Sequence, residues 1–199
     1  MENQTVTEII CILDKSGSMQ SLQAETLAGL NKFIKDQQQE EGTCNFTLVQ
    51  FNQHVSTVIN RQAIEKVELL SHSSYQPDGY TALFDAVGST LQTAMETQYF
   101  LSRAQTAERV LVFIITDGME NASTRYTKPM IQQMIQNLTT NKGWEFQFFG
   151  ANIDAFGEAQ NIGITRDKAD AWDYNQQGVK EMMNKMSVKS SEYRKRSNL

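Results

Sequence analysis

The sequence predicts a doubly wound α/β fold: a mostly parallel sheet with one antiparallel edge strand and helices on both faces. Three observations lead there. Apolar runs of strand length alternate with stretches of helical periodicity along the chain. The run 109–116 is the most apolar of all, as expected for a central strand covered on both faces. Two β-rich runs, Phe46 to Phe51 and Val55 to Ile59, are split only by Asn52-Gln53-His54, which marks a hairpin. Such a hairpin places one antiparallel strand at the margin of a parallel sheet.

Each element has its own signal. Residues 7–13 are a continuous apolar run bounded by polar residues and read as a buried strand. From Ser18 the pattern turns helical, with Leu22, Leu27, Leu30 and Ile34 on one face. The polar run from Asp36 to Glu41 and then Gly42 close that helix, and the glutamines read as its solvated end. After the hairpin, Arg61 to Tyr80 is irregular, with a short apolar segment at Val67–Leu70. Residues 82–101 are helical, lined by Leu83, Ala86, Val87, Leu91, Ala94 and Met95. Pro129 suits the first turn of a further helix, whose stripe is Ile131, Met134, Ile135 and Leu138. Residues 145–151 form another strand, and Asp154 caps a short helix running to Gln160. Gly163-Ile164-Thr165 is expected to start a last short strand or extended segment, and Val179, Met182, Met183 and Met186 mark the final helix. Arg194-Lys195-Arg196 reads as a frayed, solvated tail.

With 199 residues, no internal repeat and no linker-like stretch, the chain reads as a single domain over 1–199. Its core lies at about 6–165, with a C-terminal helix at about 174–192 packed on it. The composition, 40% hydrophobic and 21% charged, is that of a globular chain. A net charge of -5 gives no general attraction to nucleic acid or to anionic lipid, so neither is expected as a partner. No run is long enough to cross a bilayer. The polar start, Met1 to Thr5, lacks the pattern of a secretory signal, and the expected location is the cytoplasm. Cys11 and Cys44 lie in apolar runs without CxxC spacing and read as buried small residues. His54 and His72 have no partner at metal or triad spacing and take surface positions.

The chemistry gathers at strand ends. Asp14-Lys15-Ser16-Gly17-Ser18 leaves the first strand with a carboxylate and two hydroxyls at alternate positions. Thr81 follows the turn Pro77-Asp78-Gly79-Tyr80, and Thr116-Asp117-Gly118 closes the central strand. All of these offer oxygen, the donor a hard divalent cation prefers. Asp-x-Ser-x-Ser, a Gly-x-Thr turn and Thr-Asp-Gly, in this order, resemble the metal-ion-dependent adhesion site (MIDAS) of von Willebrand factor type A domains. The likeness covers roughly residues 6 to 165. In Leu13 to Met19 and in Phe149-Gly150-Ala151-Asn152 it is similar to the small standalone members found in bacteria and phages.

The resemblance implies strand order 3-2-1-4-5-6. Asp14 and Asp117 then stand at neighbouring strand ends where the winding reverses, the usual ligand crevice of such sheets. It implies a metal site of Asp14, Ser16, Ser18, Thr81 and Asp117, with the hydroxyls as direct ligands and the carboxylates direct or acting through water. Mg²⁺ suits such oxygens, Mn²⁺ equally, and Ca²⁺ less because it takes more of them. The implied function is non-enzymatic: a binding module in which an Asp or Glu of a partner protein completes the cation's shell. Taken singly, each residue has an ordinary alternative. Ser16 or Ser18 can cap the next helix, Thr81 its own, and Asp117 can be a turn residue. Asp78 and Glu120 read as solvated loop carboxylates, Asp85 as a helix N-terminal one, and Lys15 as solvated. Two other functions compete. One is Mg²⁺-dependent phosphoryl transfer, since Asp-x-Ser-x-Ser faintly resembles the Asp-x-Asp-x-Thr loop of haloacid-dehalogenase-like phosphatases, although Ser16 replaces the second Asp. The other is a metal-independent scaffold.

Overall fold

The structure, a computed structural model, describes residues 5–102 and 105–196. Six strands form one sheet: β1 (Thr7–Asp14), β2 (Cys44–Phe51), β3 (Val55–Ala63), β4 (Arg109–Thr116), β5 (Glu145–Gly150) and β6 (Ala169–Ala171). Their order is β3-β2-β1-β4-β5-β6, and every pairing is parallel except β2 with β3. That antiparallel pair slips register between Phe46 and Leu48 and again between Leu48 and Val49. Five α-helices cover the sheet: α1 (Gln23–Gln38), α2 (Leu83–Phe100), α3 (Lys128–Lys142), α4 (Ala155–Asn161) and α5 (Gln176–Lys195).

β1 shows why its sequence is continuously apolar. Alternate side chains of a strand point to opposite faces, and both faces here are covered. Ile9, Cys11 and Leu13 join a core with Leu30, Phe33 and Ile34 of α1 and Val179, Met182, Met183 and Met186 of α5. Ile10 and Ile12 join a second core with Val87 and Leu91 of α2 and Ile131, Ile135 and Leu138 of α3. β4 divides the same way, Leu111, Phe113 and Ile115 against Val112 and Ile114. The apolar interior therefore lies in two slabs with the sheet between them. Because β1 pairs with both β2 and β4, its C-terminal end opens at the reversal point of the winding.

Two expectations about the chain's end are corrected. The last strand does not start at Gly163-Ile164-Thr165, where only an extended Thr165 is found, but lies at Ala169–Ala171. Ile164 is buried in the second core, yet its N–H bonds the Ala159 carbonyl at the end of α4, so its backbone closes a helix rather than extending the sheet. The basic cluster is not a frayed tail. Arg194 donates to the carbonyls of Gln37, in the last turn of α1, and of Glu40, Glu41 and Gly42 just beyond it. Lys195 pairs with Glu40 and Arg196 with Glu145. Among the described residues no helix is long and apolar enough to cross a membrane.

Candidate functional site

The end of β1 is built around Asp14, which is fully buried. Its Oδ1 accepts from the N–H of Ser16 at 2.7 Å, a short turn closed by the side chain. Its Oδ2 accepts from the Thr116 hydroxyl at 2.7 Å, and its main-chain carbonyl accepts from the buried Tyr75 hydroxyl at 2.7 Å. Two backbone bonds clip the next loop alongside: Gly17 N–H to Gly79 O at 3.0 Å, and Asp78 N–H to Lys15 O at 2.8 Å. The Tyr174 hydroxyl, just before α5, donates to the Ser18 carbonyl.

The oxygens expected to share a ligand converge from these loops. The Ser16 and Ser18 hydroxyls lie 3.1 Å apart, and Ser18 donates to Asp117 Oδ1 at 2.8 Å. Since a hydroxyl has one proton, Ser16 is then the donor to Ser18. Asp117 Oδ2 is buried and has no hydrogen-bond partner. Thr81 arrives from the third loop: its hydroxyl lies 3.4 Å from where a Cβ on Gly118 would sit. Ser16 stands at the N-cap of a short 3-10 helix, Gly17–Leu22, but its side chain makes no capping bond, and the N-cap of α2 is Ala82 rather than Thr81.

Electrostatics mark the same place. Burial pushes Asp14 up to about 6, against its bonds from Thr116 and Ser16, and the nearby charge of Asp117 adds to the rise. Burial also raises Asp117, opposed by the bond from Ser18. Two carboxylates thus share a partly dry pocket whose bound donors are hydroxyls and backbone N–H groups, with negative charge left over. An orphaned carboxylate oxygen beside neutral hydroxyls fits a hard cation such as Mg²⁺ or Mn²⁺, which would meet oxygen alone. Among the described residues no group of three His, Cys, Asp or Glu side chains is placed to hold a metal ion.

Several supporting residues escape sequence reasoning. Tyr75, in an irregular Ser-rich stretch, is fully buried beneath Asp14; burial first, then the charges of Asp14 and Asp117, hold its hydroxyl well above its ordinary value, so it stays a donor. Asn52 is buried and donates to Asp78 O at 3.0 Å and to Asp78 Oδ1 at 2.5 Å. Its signal was its place, one residue beyond β2 at the same end of the sheet. Asn121 holds Thr81, accepting from its N–H at 2.9 Å and donating its own N–H to the Thr81 carbonyl at 3.0 Å. Glu120 is not a solvated carboxylate. It accepts from the N–H groups of Phe84, Ala122 and Ser123 and from the Ser123 hydroxyl. Lys15 is half-buried rather than fully solvated.

Comparison with solved structures returns the same architecture. The von Willebrand factor domain of the type V pili tip protein Mfa5 from Porphyromonas gingivalis matches with a TM-score of 0.68 at 10% identity, over 98% of each chain. Proximal thread matrix protein 1 (PTMP1) from the mussel byssus matches with a TM-score of 0.65 at 14% identity, over 95% of this chain and 47% of that one. The same mussel protein, solved with a zinc-occupied MIDAS motif, matches at 0.59 and 15% identity, over 95% and 46%. This chain thus spans about half the length of the mussel protein, and at such identities the likeness is one of fold. No curated protein matches the sequence. The family model of the von Willebrand factor type A domain, by contrast, matches residues 8–191. With the sheet order and helix layers in agreement with that match, the chain belongs to the von Willebrand factor type A domain family.

Proposed function

We propose that this protein is a metal-dependent binding module, not an enzyme: it holds a divalent cation at Asp14, Ser16, Ser18, Thr81 and Asp117 and docks an Asp or Glu side chain of a partner protein on it. The observation that supports this most is the buried Asp117 Oδ2, without a partner yet next to two serine hydroxyls in mutual contact. Leaving a buried charged oxygen unsatisfied is costly, and a cation removes the cost. Mg²⁺ is the first choice and Mn²⁺ an equivalent, while Ca²⁺ calls for more oxygens than these side chains supply. Neutral hydroxyls quench little of the cation's charge, so a carboxylate from outside is strongly attracted to it.

Calorimetric titration with Mg²⁺ and with Mn²⁺ tests the first half. Saturable binding is expected in the wild type and its loss in Asp14→Ala and Ser16→Ala. Equal heats from wild type and Asp14→Ala remove the metal reading. Capture of a partner in Mg²⁺, repeated with EDTA, tests the second half. Capture that survives chelation favours a metal-independent scaffold instead.

A further inference from the structure

The oxygen site leaves two large apolar side chains at its margin without a role. Tyr80 is 68% exposed and directly precedes Thr81; Met119 is 63% exposed and follows Gly118. Their loops touch, because Gly118 lies against the Thr81 hydroxyl. A single exposed apolar residue is ordinary. These two flank Thr81 and Gly118 on adjoining loops, and exposed apolar side chains next to a candidate site suit an interaction surface.

Both side chains stand on fixed backbone. The Tyr80 N–H donates to Gln53 Oε1 at 2.9 Å. Gly79, at φ 75°, lets that amide close in: a Cβ there would sit 1.9 Å from Gln53 Oε1. On the other side Thr81 is held by Asn121. Met119 lies between Gly118, whose N–H bonds Thr116 Oγ1 at 3.2 Å, and Glu120, whose carboxylate is taken by three backbone N–H groups. Little backbone freedom is lost when such a surface is covered.

The charges nearby say what covers it. Each neighbouring carboxylate of this chain is already engaged: Asp78 by Asn52, Glu120 by its N–H groups, and Asp85 by the N–H groups of Thr124, Arg125 and Tyr126. A further acid completing the cation's shell beside Asp14 and Asp117 would then come from a partner, next to two exposed apolar side chains. We infer that Tyr80 and Met119 are the specificity contacts of the site, and that the partner segment carries an Asp or Glu flanked by an apolar residue, its carboxylate on the cation and its apolar neighbour against Tyr80 and Met119. This rests on the metal-docking reading above.

The test uses a displayed library of random heptapeptides with a fixed central Glu, selected on the Mn²⁺-loaded full chain and eluted with EDTA. Eluted peptides are expected to be enriched in apolar residues within two positions of the Glu. They are expected to bind Tyr80→Ser and Met119→Ser about tenfold more weakly, while calorimetry shows Mn²⁺ binding unchanged in both variants, which also reports that they fold. EDTA-eluted peptides with no apolar bias, or equal binding to the variants, overturn the rim and leave metal docking standing. No EDTA-eluted peptide from a protein that binds Mn²⁺ overturns docking itself and the rim with it. Mn²⁺-dependent self-association in sedimentation that either variant abolishes would assign this surface to a second copy and overturn the partner assignment.

Discussion

Asp85 gives its carboxylate oxygens to three successive backbone N–H groups, those of Thr124, Arg125 and Tyr126, at 2.9, 2.9 and 2.8 Å. Burial pushes this carboxyl up, but the three N–H groups and the Arg125 charge outweigh it and hold the group below the ordinary carboxylate value. A carboxyl depressed on folding stabilises the native state above its unfolded pKa, and that contribution is lost as pH falls through the folded value. Asp85→Ala is therefore expected to lower stability at neutral pH by about 1–2 kcal/mol, a modest figure because the pairings are partly solvated. Urea unfolding at neutral and at acid pH checks this: the gap between variant and wild type narrows in acid, and a constant gap would contradict it. Asp85 also shows what a sequence reveals about a site. The five proposed ligands were named from the family resemblance, carried by motifs that each follow an apolar run or a turn by a few residues. Glu120 was not legible, because the surface preference of Glu is an average that ignores local demand. The N-cap of α2, Ala82, makes no capping bond, so the N–H groups of Phe84 and Asp85 are met by Glu120 and Ser123 from another loop. No local pattern announces a cap supplied from 36 residues away.

At the scale of elements, α1 and α5 are joined by more than apolar contact. Arg194, near the end of α5, donates from its guanidinium to Gln37 O in the last turn of α1 and to the carbonyls of Glu40, Glu41 and Gly42 just beyond it, a place where a cation also suits the helix dipole. Arg194→Ala is expected to cost about 1–3 kcal/mol, since several carbonyls lose a charged donor together. Arg194→Lys recovers only part, because an ammonium cannot span them as a planar fork does. Chemical denaturation of the variants measures both, and an unchanged midpoint in Arg194→Ala would mean that water serves those carbonyls equally well. The sequence shows a basic cluster but not its partner, which lies more than 150 residues away. The misplaced final strand has a related cause. Gly163-Ile164-Thr165 has an apolar residue at its centre, but burial of Ile164 follows as well from closing α4 as from joining a sheet, and periodicity over three residues cannot separate the two. The long runs at β1 and β4 offered no such choice, being covered on both faces.

At the scale of the whole molecule, the site ties together β1, the loop before α2 and the end of β4, segments that the fold alone brings into register. A cation that binds only the folded chain stabilises all of it, by about 2.7 kcal/mol at one hundred times its dissociation constant. For a chain of this size that is a rise in Tm on the order of 5–10 °C. Thermal melts with and without Mn²⁺ are expected to show it in the wild type and not in Asp14→Ala; parallel shifts in both would place the cation elsewhere. The overall architecture was legible because alternating strand and helix signals leave few ways to wind a sheet, whereas the strand order came from the family resemblance.

The flanks of the sheet carry a consequence of their own. β6 has only three residues, and β3 is kinked by its slips against β2 and by Arg61 at φ 44°. A flat, regular outer strand invites a foreign chain to hydrogen-bond along it; short or buckled ones do not. Association by main-chain zippering is thereby discouraged on either side. A cation seated above the strand ends, as proposed, would act as a permission, supplying a charged point of attachment that the margins of the sheet do not.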